Sequence, residues 1–332
     1  MSTRGRLILA YLLPLPVLVL SLGVGPTDGL GLSTLMSHLL GRPGVTGIAP
    51  ATVRQILFEI RLPRVLLAFL VGGGLTVSGT ALQVLARNPL VSPDILGLAS
   101  GAAFGAALAM VVGWLPVQPT AFAGALLASG LTYLFAARSH RNSVVALVLS
   151  GVIVGGIFTA ALAIVQMLAD PYRLQSIVHW TMGNLHNASW TKVRSAGVFI
   201  GVGALWLVVM RWRLNVLALG DEETRAVGLD PVRQKALIIV PAALAASASV
   251  AVAGVIAMVG LVVPHMVRLL LGADNTKCVP ASIVVGGVFL VLVDDLARAA
   301  TSFEVPIGVF TMLIGGPVFL FLLSRSDQRD FG

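Results

Sequence analysis

Long apolar runs, nearly free of charge, are the feature that most limits how this sequence can fold. The chain has 332 residues, of which 57% are hydrophobic and 11% are charged. A soluble domain carries about 25% charged residues, so this chain has too few polar groups to cover a water-facing surface. The sequence therefore predicts an integral membrane protein. Its apolar runs are Leu7–Thr27, Val65–Ala86, Ile95–Ala137, Asn142–Ala169, Ser195–Met210, Ala236–Ala273, Cys278–Val293 and Val305–Ser324.

The lengths of these runs predict ten membrane-spanning helices. The hydrocarbon core of a bilayer takes about 20 residues of helix. Ile95–Ala137 is long enough for two spans, with a break at GWLPVQPT (113–120), and Ala236–Ala273 for two more, with a break near Gly254. The sequence lacks the period-two pattern of a closed barrel, so helices must satisfy the backbone in lipid. We expect an all-α polytopic membrane protein with one transmembrane domain over residues 1–332.

The distribution of Lys and Arg predicts how the chain is oriented. Ten spans put both termini on one side, and alternate loops then give 14 basic residues on that side and eight on the other. Cytoplasmic loops carry the excess of basic residues. We therefore expect both termini in the cytoplasm, together with the acidic segment LNVLALGDEETRAVGLD (214–230). The net charge of +8 follows this loop pattern and does not indicate nucleic-acid binding.

The sequence lacks the motifs of several enzyme classes. It contains neither a GxxxxGK[ST] loop for nucleotide phosphates nor an HExxH motif for zinc. One cysteine, Cys278, provides neither a disulfide framework nor a metal cluster. The histidines are scattered along the chain, at His38, His140, His179, His186 and His265. We expect no enzymatic activity, no metal and no cofactor in this chain.

Three blocks depart from plain apolar helices. RLPR (61–64) is expected to open a helix at the outer face, and RNPLVSPDILG (87–97) interrupts the apolar sequence at the inner face, because prolines do not continue a helix there. GLVVPHMVRLLLGAD (260–274) places a His and an Arg at the inner end. VDDLARAATSFEVPIGVFTMLIGGPVFLFLL (293–323) places Arg298 and Glu304 at the outer face. Non-helical backbone at membrane depth is buried in protein or lines a cavity.

Together with LALGDEETRAVGLD, these blocks resemble the FecCD-type permeases, the membrane subunits of ABC importers for iron–siderophore chelates, haem and vitamin B12. The matching blocks follow the family's order from Arg61 to Leu323. The resemblance implies the type II ABC importer permease fold in the bacterial inner membrane. It also implies a homodimer, or a heterodimer with a sister permease, with one path between the subunits. Two ATPase subunits, which use the ATP, would bind inside, and a periplasmic substrate-binding protein would bind outside.

The resemblance assigns a docking role to three outer arginines. Arg61, Arg64 and Arg298 match family residues that receive carboxylates of the binding protein, and the Arg fork binds a carboxylate bidentately. Two alternatives stay open. The arginines can anchor the helices at the lipid headgroups, or Asp294 and Asp295 can neutralise Arg298 within the fold.

The resemblance also assigns roles to residues at the cytoplasmic end of the path and to residues within the membrane. The resemblance identifies a cytoplasmic gate, and the alternative is a purely structural helix break. It also identifies the fifth span as a helix lining the path, although hydrogen bonding within the bundle explains its polar residues nearly as well. The gate residues are Asn88, Pro89 and Leu90, and the candidate lining residues are Ser150, Thr159 and Gln166.

The acidic segment matches the family's cytoplasmic coupling loop, about 214–233. Glycines at both ends can bracket a helix of about two turns, with Gly228 as its C-cap, and acids in its first turn suit the helix dipole. Such a short helix is marginal alone and should need a partner surface. The alternative is a loop that only connects two spans. The predicted ATPase-coupling residues are Gly220, Asp221, Glu222, Glu223, Thr224 and Gly228.

The substrate follows from the resemblance alone. We expect an iron chelate, either a ferric siderophore or haem, with vitamin B12 second and molybdate-type oxyanions also open. A proton-coupled secondary transporter would need intramembrane carboxylates and inverted repeats, and only Asp294 and Asp295 qualify. A membrane-embedded enzyme would need a nucleophile–base or metal set facing a cavity.

Overall fold

The computed structural model describes residues 3–25, 31, 49–138, 144–299 and 305–330, and all regular structure in these ranges is helical. The first half contains α1 (Thr3–Leu12), α2 (Pro14–Ser21), α3 (Pro50–Gln55), a π-helical turn (Ile56–Arg61), α4 (Leu62–Ala86), a 3-10 turn (Pro93–Leu96), α5 (Leu98–Val112), α6 (Val117–Arg138) and α7 (Val144–Leu168). The second half contains α8 (Pro171–Thr181), α9 (Trp190–Val209), α10 (Arg211–Leu219), α11 (Asp221–Ala226), α12 (Pro231–Ala253), α13 (Val259–Leu271), α14 (Asn275–Ala299) and α15 (Ile307–Asp330).

The lengths of the apolar helices agree with ten spans. Within the described residues, six helices of at least 18 residues are apolar enough to cross a bilayer, and four shorter apolar segments accompany them. The shorter segments are Gly5–Ser21, Leu98–Val112, Val259–Leu271 and Ile307–Phe321. The prediction of an all-α polytopic membrane protein is therefore confirmed.

Helix α4 is the centre of the bundle. It packs against α9, α12, α13 and α14, and its most apolar stretch is 83% buried within the chain. The glycines of VGGGLTVSG (71–79) make this packing possible, because they let backbones touch. A Cβ built on Gly72 would lie 2.2 Å from the carbonyl oxygen of Gly286 on α14. One built on Gly79 would lie 1.8 Å from the carbonyl oxygen of Gly260 on α13.

The start of this central helix differs from the sequence-based prediction. Arg61 and Arg64 do not open a helix, because α3 begins at Pro50 and continues through the π-helical turn into α4. Pro63 cannot donate a backbone hydrogen bond inside this continuous segment, and the carbonyl oxygen of Phe58, five residues earlier, accepts from Trp190 Nε1 at 2.9 Å.

The helices break near the Gly and Pro residues at which the sequence predicts breaks. α4 ends at Ala86, and the 3-10 turn carries the chain to α5. α12 ends at Ala253, where Gly254 has φ +73°, and the chain stays non-helical until α13 begins at Val259. Since α13 has only 13 residues, the chain crosses part of the bundle here without regular structure.

We predict that Gly79→Ala destabilises the protein by about 1–3 kcal/mol, because the added methyl group overpacks the contact with α13. The measurement is the thermal unfolding midpoint of the detergent-purified protein. Gly130→Ala in α6 is the matched control, since a Cβ there meets nothing within 4 Å. Equal midpoints for the two variants would contradict the close backbone contact.

Candidate functional site

A buried ion-pair network closes one end of the bundle, here called the Asp294 end. The Asp294 carboxylate accepts hydrogen bonds from Arg64, with Nε–Oδ2 at 3.0 Å and Nη2–Oδ1 at 2.9 Å. The Nε atom of Arg298 lies 3.1 Å from Asp294 Oδ2, and the same guanidinium also pairs with Asp295. One carboxylate therefore holds α4 and the last turn of α14 together.

The same network ties down the chain that follows α2. Arg61 Nη1 donates to the carbonyl oxygen of Leu22 at 2.8 Å, and Arg298 Nη1 donates to that of Val24 at 2.7 Å. The Ser21 hydroxyl donates to Asp295. The arginines thus satisfy backbone carbonyls of the turn that follows α2.

The three predicted docking arginines are consequently not projecting surface groups. Arg61, Arg64 and Arg298 are 4%, 9% and 6% exposed. Of the alternatives, the structure favours neutralisation within the fold, for Arg64 as well as for Arg298, and it disfavours anchoring at headgroups. Docking of a binding protein on these residues stays a prediction.

The opposite end of the bundle, here called the Arg87 end, contains the predicted gate. Arg87 follows α4 in the left-handed conformation, with φ 49°, which is unusual for a residue other than Gly. Asn88 N donates back to Gln83 O at 3.1 Å, and Asn88 Oδ1 accepts from Leu90 N at 2.9 Å. Asn88, Pro89 and Leu90 are exposed on the turn that this arrangement forms. The turn explains the helix break, and the gating role stays a prediction.

The predicted coupling segment is helical and presents a mixed surface. α11 is shorter than the two turns expected, and Gly228 lies one residue after its cap, with φ +79°. Gly228 N donates to Arg225 O at 2.9 Å and Leu229 N to Thr224 O at 3.1 Å, which closes the helix as a Schellman motif. Gly220 precedes the helix with φ +144°, a conformation that favours Gly.

Only part of this segment is available to a partner. Asp221 pairs with Lys235 of α12 at 2.7 Å, and Thr224 is fully buried. Glu222 and Glu223 are exposed, and the apolar side chains of Leu219 and Val227 are exposed beside them. Among the predicted coupling residues, Asp221 and Thr224 therefore make contacts within the protein, whereas Glu222 and Glu223 face outward.

Helix α10 connects this segment to α14 through paired hydrogen bonds. Asn215 Nδ2 donates to Asp274 Oδ1 at 3.1 Å, and Asn275 N donates to Asn215 Oδ1 at 2.8 Å. The Thr276 hydroxyl and the Asn215 amide, with the Thr276 N–H, hold the pKa of Asp274 well below its usual range. The beginning of α14 is thus fixed to the coupling segment.

The fifth predicted span, α7, is the least buried of the long helices, with 22% of its most apolar stretch inside the chain. Thr159 is exposed and donates to the carbonyl oxygen of Gly155 at 2.8 Å, while Ser150 and Gln166 are half-buried. Such an open helix leaves room for lipid, for a second subunit or for a path. The lining role of these three residues stays a prediction.

A pair of histidines near the Asp294 end was not predicted from the sequence. His179 on α8 and His186 in the following loop have ring centroids 5.1 Å apart, in an edge-to-face arrangement. Together with Asn184 they line two neighbouring cavities of about 290 and 340 Å³. Among the described residues, no group of three or more His, Cys, Asp or Glu could hold a metal ion. The two histidines are seven residues apart across a helix end, so only the fold brings them together.

The described residues thus form a bundle of membrane-crossing helices with broken spans, a short helical segment at one end and a pair of histidine-lined cavities at the other. This chain belongs to the FecCD transport family, which matches residues 12–325. The family comprises permeases of ABC transporters, in which the ATPase is a separate subunit.

Relatives and a solved structure agree with this membership. A probable iron chelatin transport system permease of Helicobacter pylori is 40% identical over 82% of this chain and 83% of that protein. A cobalamin import permease of Halobacterium salinarum is 40% identical over 84% and 76%. The hemin transport permease of Yersinia pestis is 36% identical over 99% and 98%. A solved inward-facing metal-chelate type ABC transporter has a TM-score of 0.84 at 34% identity, over 97% of this chain and 99% of that one.

We predict that Asp294→Asn destabilises the protein by about 3–5 kcal/mol, because it leaves two buried guanidinium groups without their shared anion. Thermal unfolding in detergent measures the effect. Asp170→Asn is the control, since Asp170 pairs with Arg173 at a half-exposed position and should change stability by less than about 1 kcal/mol. Similar shifts for both variants would argue against the network.

We also predict a pH-dependent contribution from Asp274. Its folded pKa is depressed, so its contribution to stability is present above the ordinary Asp pKa of about 3.9 and is lost as the pH falls toward the folded pKa. The wild type should exceed Asp274→Asn in unfolding midpoint at pH 7, and the gap should narrow below about pH 4. At pH 7 the unfolding midpoint of Thr276→Val, which removes one hydrogen bond, should lie between those of the wild type and Asp274→Asn. A gap independent of pH would contradict this assignment.

Proposed function

We propose that this chain is the permease subunit of an ATP-driven importer that moves an iron chelate, either a ferric siderophore or haem, from periplasm to cytoplasm. The observation that supports this most strongly is the hemin transport permease of Yersinia pestis, which aligns along 99% of this chain. The Helicobacter pylori relative, described as an iron chelatin permease, supports the same substrate class. The protein would lie in the bacterial inner membrane with both termini in the cytoplasm.

The coupling segment is where the ATPase would bind. Glu222 and Glu223 are exposed on α11, and Leu219 and Val227 add exposed apolar surface beside them. A helix of six residues is too short to be stable alone, so an ATPase surface would complete its packing. ATP would be used by that partner, since this sequence lacks a nucleotide-binding loop.

Substrate would enter at the Asp294 end. The cavities around His179, Asn184 and His186 offer polar groups there, and imidazole is a ligand suited to iron. A periplasmic binding protein would deliver the chelate, and two permease copies would enclose the path. Alternate opening of this end and of the gate at Asn88–Leu90 would then move the substrate across.

Vitamin B12 is the second candidate substrate, favoured by the Halobacterium salinarum cobalamin permease at 40% identity.

A proton-coupled carrier is a less well supported mechanism. Asp294 already holds two guanidinium groups, and Asp295 pairs with Arg298 and Ser21. Both carboxylates are thus engaged in structural contacts.

Proteoliposomes test the proposal, with the ATPase and ATP inside and the binding protein outside. We expect ATP-dependent uptake of a ferric siderophore or of haem, and no uptake of cyanocobalamin. Preferential uptake of cyanocobalamin would select the second candidate. Uptake that ignores ATP and follows an imposed proton gradient would overturn the importer mechanism.

We predict that Glu222→Lys weakens retention of the ATPase during purification of the complex, because it reverses a charge on the exposed face of α11. Co-purification at two salt concentrations measures retention. Arg194→Glu, an exposed charge reversal at the start of α9, is the control and should retain the ATPase fully. Full retention by Glu222→Lys would exclude this face of α11 from the interface.

A further inference from the structure

The cavity of about 340 Å³ near the Asp294 end lies between α8, the loop that follows it and the start of α9. Residues of α5 and of the end of α12 add an apolar wall. The polar residues that line the cavity include Gln175, His179, Asn184, His186, Asn187 and Lys192.

These polar residues are accessible to a ligand. Gln175, His179 and Asn187 are exposed, and Lys192 is half-buried at the third residue of α9. The cavity is therefore not a sealed void, and its one ammonium group stands at the boundary between the polar lining and the apolar interior.

Lys192 lacks a counter-ion in this cavity. The described lining residues include no Asp or Glu. In the neighbouring cavity Arg64 does have a carboxylate, that of Asp294, which it shares with Arg298. Burying a charge is costly unless a partner of opposite charge accompanies it. An anion that enters the cavity would supply the partner that Lys192 does not have there.

The other polar groups and the size of the cavity indicate what kind of anion fits. The ammonium group of Lys192 and the amide N–H groups of Gln175 and Asn187 are donors, and carboxylate oxygens accept such bonds. A cleft lined by one sign of charge also concentrates ligands of the opposite sign. Sites for whole small molecules have volumes of about 300–1,000 Å³. At the lower end of that range, the cavity suits one acidic arm of a chelate.

We propose that this cavity receives a free carboxylate of the cargo, with Lys192 as its counter-ion, and that the permease thereby favours chelates that carry carboxylates. The assignment rests on the proposed function, which brings the cargo to the Asp294 end. Haem has two propionate arms, and some ferric siderophores also carry free carboxylates. Cyanocobalamin, whose carboxamide side chains are uncharged, and ferric hydroxamates without acidic arms lack this group.

Porphyrin binding to the purified permease tests the proposal. Protoporphyrin IX and its dimethyl ester differ only in whether the two carboxylates are free, and without iron neither forms a metal–histidine bond. We expect Lys192→Gln to bind protoporphyrin IX about tenfold more weakly than the wild type, because a charge-assisted hydrogen bond is lost. The ester should bind both proteins equally. Porphyrin fluorescence gives the dissociation constants, with empty detergent micelles as the background.

Matched variants separate the effect of this ammonium group from that of surface charge. Lys192→Arg keeps the charge and should keep most of the wild-type affinity. Arg194→Gln removes an exposed cation of the same helix that does not line the cavity, and it should bind as the wild type does. Lys192→Met, which has a similar length and no charge, serves if Lys192→Gln does not fold.

Two results would overturn the proposal. One is an equal affinity of the wild type and the uncharged Lys192 variants for protoporphyrin IX, which includes the case of no binding above empty micelles. The other is an equal loss of affinity in Arg194→Gln, which would mean that general surface charge attracts the porphyrin.

An acidic side chain of the binding protein could present the same carboxylate to Lys192, so a second measurement separates the two sources. Lys192→Gln should retain the unloaded binding protein as well as the wild type does during co-purification. Loss of retention would assign Lys192 to docking and overturn the cargo site. Failure of ATP-driven uptake of every chelate by the wild type would overturn the proposed function, whereas equal porphyrin affinities overturn only the carboxylate site.

Discussion

The carboxylate of Asp294 holds two guanidinium groups inside an apolar bundle, and the arrangement of one whole end depends on it. Arg64 reaches it from α4 and Arg298 from α14. A lone charge there would be strongly unfavourable, so each partner makes the others tolerable. The arginines then have N–H groups left to bind the carbonyl oxygens after α2. Burial of charge at this end thus orders chain segments that are far apart in sequence.

The sequence was informative where the signal is local. Pro89 and Gly254 mark the helix breaks because proline and glycine act on their own backbone, and the apolar runs give the spans because length is counted along the chain. The sequence does not show which charged residues pair with each other. Arg64 and Asp294 are 230 residues apart, and a basic residue at a helix end looks the same whether it binds a neighbouring helix or another protein. The sequence did not predict the His179–His186 contact for the same reason, since packing creates it.

The two ends of the bundle are linked by the same helix. α14 begins at Asn275, bonded to the coupling segment through Asn215, and reaches Asp294 about 28 Å further along its axis. Its contact with α4 runs along glycines, where backbone meets backbone. At Gly72 and Gly286 the two backbones meet directly, and the side chains of Phe69, Thr76 and Leu290 fill the rest of the contact.

The contact between Gly72 and Gly286 lies between the two attached ends of α14. It is about 16 Å from Asn275 and about 12 Å from Asp294 by helical rise. A helix that is attached at both ends and touches its neighbour between them can pivot at that contact, and Pro280, between Asn275 and Gly286, is a point where it can also bend. A push on the Asn275 end would then swing the Asp294 end in the opposite direction, by a smaller distance. One end would then close as the other opens, because both ends are attached to the same helix.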